Sequence, residues 1–157
     1  MTSTAHTLVG GAIAQAIPNP YIALPLIVMS HFLMDCIPHW DMGTNWRSRS
    51  KKLTGALAIA ETLTGITIAY ILYQGKVESP FLLFAIIASI LPDWLETPWY
   101  ILFAHQNKHV PSKHASLFER LAFGIYRLEN LFHAKAQFPL GVLTQIATVA
   151  FFLIVLR

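Results

Sequence analysis

Five apolar segments leave this chain few folds to choose from. They occupy residues 5–17, 21–37, 53–74, 80–104 and 138–156. A helix needs about 20 apolar residues to cross a bilayer, and all but the first come near that length. Of the 157 residues, 55% are hydrophobic and only 12% are charged, about half the ~25% charge of an ordinary soluble domain. The reading is an all-α integral membrane protein, one membrane domain over residues 1–157 built as a helical bundle of about five apolar segments. The first segment stops at the turn signal Pro18-Asn19-Pro20. Being short, it is expected to tilt, to start at the membrane surface, or to lie partly inside the protein. Pro25 is a candidate kink in the second segment, and Pro92 and Pro98 are expected to interrupt the fourth.

Between the fourth and last segments the chain turns polar. Ser116 and Glu119 fit a capping box, and Leu117, Leu121, Ile125, Leu128 and Phe132 recur at helical spacing. This predicts an amphipathic helix over 116–136, in the interface or packed on the bundle, followed by the final span 138–156. The basic residues are unevenly distributed. If all five segments cross, Arg47, Arg49, Lys51, Lys52, Lys108, Lys113, Arg120, Arg127 and Lys135 share one side, and only Lys76 and Arg157 lie opposite. The positive-inside rule then puts the N-terminus, the 41–52 loop and the 105–137 stretch in the cytoplasm. The N-terminus has neither the basic region nor the cleavage site of a signal peptide and is expected to remain in the mature protein. A single cysteine, Cys36, excludes an internal disulfide. No phosphate loop, serine elbow or nucleic-acid motif is present. The expected partner is membrane lipid, not nucleic acid.

Chemistry concentrates in residues 30–41. His31 and Asp35 are four apart and share a helix face, while Pro38 ends the helix and leaves His39 and Asp41 on the turn. Ionisable groups at the end of a membrane span are costly unless hydrated, paired or liganded. An internal repeat enlarges the set. His6-Thr7-Leu8-Val9-Gly10 matches Glu61-Thr62-Leu63-Thr64-Gly65, and Ile37-Pro38-His39-Trp40 matches Leu91-Pro92-Asp93-Trp94. These matches define repeat units 5–41 and 60–96, and sites in repeated membrane folds lie at the repeat interface. At about 1.5 Å per residue, Glu61, Asp93 and Asp35 reach similar depths in the cytoplasmic half. The candidate metal ligands are therefore His6, His31, Asp35, His39, Glu61 and Asp93, with Asp41 and Glu96 as candidate catalytic carboxylates. Mixed imidazole and carboxylate ligands suit Zn²⁺ first, with Mn or Fe as alternatives, in one or two ions.

Plainer roles stand beside these. His31 and Asp35 can be a hydrogen-bonded pair joining helices, His39 and Asp41 turn residues, and His6 a surface group. Glu96 can be a solvated residue near the proline breaks. His105, His109 and His114 read as interfacial, His133 as a helix-surface residue, and Trp40, Trp46, Trp94 and Trp99 as an interfacial belt. Gly10, Gly11, Gly55 and Gly65 read as sites of close helix packing.

His6 near the start, about thirty residues of apolar hairpin, and then Ile37-Pro38-His39-Trp40-Asp41 resemble the bacterial membrane-bound metal-dependent hydrolases, the YdjM-like inner-membrane family. That family carries an N-terminal Thr-His, a Pro-Asp-x-Asp turn and a later His-Arg…Thr-His-Ser motif. The resemblance covers roughly the first hundred residues. It implies His6 as a first ligand, with His39 and Asp41 at the two acidic positions of the turn, and Pro92-Asp93 as a second partial match. For the third motif only Lys113-His114-Ala115-Ser116 offers an echo. The expected function is metal-dependent hydrolysis of a lipid-linked ester or phosphoester. The alternatives are a proton or metal-ion transporter, a structural or assembly protein whose polar cluster locks its helices, and haem ligation by a histidine pair.

Overall fold

A computed structural model describes residues 1–44, 46–104 and 109–157. His105 and Lys108, assigned above to the interface and to the basic side, lie outside the described residues. The described residues are helical, without strands: α1 (Ser3–Ala16), α2 (Pro20–Asp35), α3 (Lys51–Tyr73), α4 (Ser79–Pro98), α5 (Leu117–Phe132) and α6 (Leu140–Val155). A short 3-10 turn, Trp46–Ser48, precedes α3, and a π-helical turn, Trp99–Phe103, extends α4.

The shortest helix is the axis of the bundle. Ten of the fourteen residues of α1 are buried, and α2, α3, α4 and α6 all pack on it. Small residues permit this. A Cβ at Gly10 would come within 2.8 Å of the Ser89 Cβ on α4, and one at Gly65 of α3 within 2.8 Å of the Thr4 backbone nitrogen. Gly55 behaves differently from the packing role expected of it. No atom lies within 4 Å of a Cβ there; the buried residues of α3 are Thr62, Gly65, Ala69 and Tyr73, a stripe on its second half.

Helix direction gathers the termini. The start of α1, the end of α2, the start of α3, the end of α4, α5 and the start of α6 lie at one end. The 17–20 and 74–78 turns lie at the other. The described cations divide the same way: Lys76 and Arg157 stand apart from the other eight.

Two helices are long and apolar enough to cross a membrane, Lys51–Tyr73 with 23 residues and Ser79–Phe103 with 25. Pro20–Asp35 and Leu140–Val155 are apolar but shorter. Pro92 and Pro98 do not break the fourth segment as expected. Each lacks the N–H that would pair with the carbonyl four residues back, and the helix runs on, changing to the wider π turn immediately after Pro98. Trp99 leaves the expected interfacial belt. It is buried at 1% exposure against Phe103, Phe123 and Tyr126.

Ser116 caps α5, accepting from Glu119 N at 3.1 Å, while the Glu119 carboxylate turns to His109 at 2.8 Å. Leu117, Leu121, Leu128 and Phe132 are exposed, and the buried face carries Ala122 and Glu129. The stripe read from the sequence is therefore the outward face, and the neighbouring face packs on α4 and α2.

The glycines give a paired prediction. Gly65→Ala should lower the melting temperature of the purified protein, since overpacking costs about 1–3 kcal/mol and the obstruction is backbone. Gly55→Ala should leave it unchanged or raise it, because alanine is favoured over glycine in a helix by about 1 kcal/mol. Thermal unfolding in detergent reads both.

Candidate metal centre

The loop after α2 is held in place before any ligand is considered. Asp35 O accepts from Ala134 N at 2.8 Å, His39 N donates to Ala134 O at 3.0 Å, and Ala136 N donates to His39 O at 2.8 Å. Trp40 N donates to Gly141 O at 3.1 Å. A Cβ at Gly141 would meet Trp40 N at 2.5 Å, so only glycine lets α6 begin this close to the loop. These bonds tie residues 35–40 to the stretch after α5 and set His39 and Asp41 facing His133.

Two histidines have fixed tautomers. A carbonyl can only accept, so the His31 Nδ1–H donates to Ser89 O and the His39 Nδ1–H to Ile37 O, each at 2.8 Å. In each neutral ring the Nε2 lone pair is then left to face the cluster. This backbone-anchored arrangement is how metal-ligating histidines are normally oriented. His6 stacks on His31 with ring centroids 3.9 Å apart.

Asp35 lies at the centre, fully buried. Its Oδ1 is 3.2 Å from His6 Nε2 and 3.7 Å from His39 Nε2. Its Oδ2 is 3.5 Å from His31 Nε2 and 3.8 Å from His133 Nδ1. The Met1 amine also contacts Oδ1. Both ring nitrogens of His6, Nε2 of His31 and Oδ2 of Asp35 are buried without a hydrogen-bond partner. Buried polar groups are ordinarily satisfied. Facing one another across 3–4 Å, these atoms have the geometry to share an ion.

Three groups of side chains have the geometry to hold a metal ion: His39, Asp41 and His133; His6, His31 and Asp93; and His31, Asp35 and Glu129. In the first, His133 Nε2 is 2.9 Å from His39 Nε2 and 2.6 Å from Asp41 Oδ2, and His39 Nε2 is 3.6 Å from Asp41 Oδ2. Tetrahedral ligands at about 2.0–2.1 Å from zinc would be roughly 3.3 Å apart. In the others, His31 Nε2 is 3.7 Å from both Asp93 Oδ1 and Glu129 Oε2. Burial alone would push the Asp41 carboxyl up. The hydrogen bond from His133, the neighbouring His39 imidazole and the charge of Lys135 outweigh it and hold Asp41 well below the usual carboxylate range.

Of the ligands expected from sequence, His6, His31, Asp35, His39 and Asp93 come together. Glu61 does not join them. Its carboxylate accepts from Ser3 N at 3.0 Å, Thr4 N at 2.8 Å and the Thr4 hydroxyl at 3.0 Å. It thus caps the start of α1, where free N–H groups and the helix dipole favour a negative charge. Asp41, expected as catalytic, stands within a ligand group. Glu96 stands outside all three, buried, accepting from Tyr100 OH at 3.0 Å and Asn130 Nδ2 at 3.2 Å.

Two members of the cluster, His133 and Glu129, escape the sequence reading. His133, expected on a helix surface, is the cap that ends α5 and belongs to the cluster. A signal is present: Glu129 and His133 are four apart, the spacing of His31 and Asp35.

The chain is thus an all-helical protein with a buried histidine–carboxylate cluster of metal-binding geometry. No family model, curated protein or solved structure matches it.

If these groups bind ions, His133→Ala should weaken uptake of one ion by about 10-fold or more. Glu61→Gln should leave metal affinity unchanged while lowering thermal stability. Calorimetric titration with Zn²⁺ or Mn²⁺ measures the first, and a melt of metal-free protein the second.

Proposed function

We propose that the chain is a membrane-embedded, metal-dependent hydrolase of the YdjM-like kind, with a two-ion centre acting on an ester or phosphoester. The observation that carries this reading is Asp35, whose two oxygens each face two histidines and so join the ligand groups. Charge supports it. Asp35, Asp41, Asp93 and Glu129 bring four carboxylates into one largely buried cluster, and buried carboxylates persist only when paired or liganded. Two divalent cations would balance them.

Such ions lower the pKa of bound water and polarise an ester or phosphoryl oxygen. In this reading the chain's own groups hold the geometry. His39, Asp41 and His133 form one pocket, His6, His31 and Asp93 the other, and Asp35 spans both. Zn²⁺ fits the donor set best, with Mn²⁺ or Fe²⁺ compatible. Glu96, held by Tyr100 and Asn130 and lining a cavity with Asp41 and Asp93, would exchange a proton with the leaving group.

Membrane insertion is supported by the exposed surface. Leu63, Ile71, Phe84, Ile87, Phe151 and Ile154 are all more than half exposed. Outward apolar surface on this scale marks a lipid or partner contact. The division of cations supports placing the cluster and the N-terminus on the cytoplasmic side of an inner membrane.

Metal-loaded protein should hydrolyse at least one of p-nitrophenyl phosphate, bis(p-nitrophenyl) phosphate and p-nitrophenyl laurate. Loss of a group that merely orients a ligand costs about 10–100-fold, so Asp35→Asn should cost ~100-fold or more. Chelation should abolish turnover and Zn²⁺ or Mn²⁺ restore it. No turnover of any probe after metal loading, or turnover indifferent to Asp35→Asn, overturns the reading.

A further inference from the structure

A cavity of about 470 Å³ adjoins the cluster, within the ~300–1,000 Å³ of small-molecule sites. Asp41, Asp93 and His133 reach it from the metal centre. Its walls come from the first half of α3, including Gly55, Ala58 and Ile59, and from the end of α4 and the π turn after it, including Trp94 and Ile101; Lys51 Nζ donates to Ile101 O at 3.2 Å between them. Lys52 and Lys135 also line it.

We infer that this cavity binds one hydrocarbon chain of a phosphate-bearing lipid, with the phosphate drawn to the edge of the metal cluster and Lys135. Three features converge on that occupant. The walls are mainly apolar, as a chain requires. Beside the metal-ligand cluster stands Lys135, the pairing that a phosphate requires. Gly55 widens the groove between them. Elsewhere, at Gly10 and Gly65, glycine lets helices touch, but at Gly55 nothing approaches. From Lys52 to Thr62 the groove wall runs ten residues, about 15 Å at 1.5 Å per residue. The inference names a substrate class for the proposed hydrolase; it rests on that reading for the cleavage step, and on the cavity and the adjoining metal-ligand cluster for binding.

The test is saturation binding of radiolabelled dodecyl phosphate to the full chain in phosphatidylcholine nanodiscs loaded with Mn²⁺, with empty nanodiscs subtracted. Wild type should bind saturably. Gly55→Leu and Ala58→Leu should each weaken binding about tenfold or more while keeping the wild-type metal content and melt. Gly124→Leu, at an open position on α5 away from the cavity, should bind like wild type. Dodecyl maltoside should not compete. Unchanged binding in both groove variants, or displacement by inorganic phosphate as effective as by unlabelled dodecyl phosphate, overturns the chain site. Equal competition by dodecyl maltoside overturns the phosphate assignment. Dodecyl phosphate that binds as expected but is never cleaved upholds the groove and counts against hydrolysis alone.

Discussion

A carboxylate without access to solvent must be answered by something, and Asp35 sets the terms for the rest of the molecule. It ends α2 at the level where α1 begins, with histidines from α1, α2, the adjoining loop and the end of α5 around it. Each of those elements is held by contacts that make sense only if this meeting point is kept. Ser89 and Ile37 carbonyls fix the tautomers of His31 and His39. Glu61 pins the start of α1. The backbone ties to Ala134, Ala136 and Gly141 bring the end of α5 and the start of α6 to the same place.

Much of this is legible in the chain, for identifiable reasons. Helix boundaries follow from apolar runs and punctuation: Thr2, Asn19, Ser50 and Ser116 each cap a helix through a side-chain oxygen. His31 and Asp35 are legible because four-residue spacing on a helix is a contact in three dimensions. His39 and Asp41 are legible because Pro38 forces a turn. Asp93 follows from its match to His39.

The same matching misleads at Glu61. The match to His6 predicts a ligand, but the carboxylate faces the open N–H groups of α1 instead of the histidines. His133 and Glu129 are hidden for another reason. In α5 two faces compete, and the larger apolar stripe of Leu117, Leu121, Leu128 and Phe132 imitates a packed face. A helix that lies at a membrane boundary can turn its apolar side outward and its polar side to the protein. In such a helix the mixed face carries the site. Pro92 and Pro98 fail as helix breakers because tertiary packing and a π turn absorb the missing bonds.

If Asp35 joins two metal ions in one centre, electron paramagnetic resonance of the Mn²⁺-saturated protein will show it, because ions about 3.5–4 Å apart that share a carboxylate couple their spins. A coupled-pair spectrum is expected in wild type, replaced by an isolated-ion spectrum in Asp35→Asn. An isolated-ion spectrum in saturated wild type, or no bound Mn²⁺ at all, would contradict the two-ion centre.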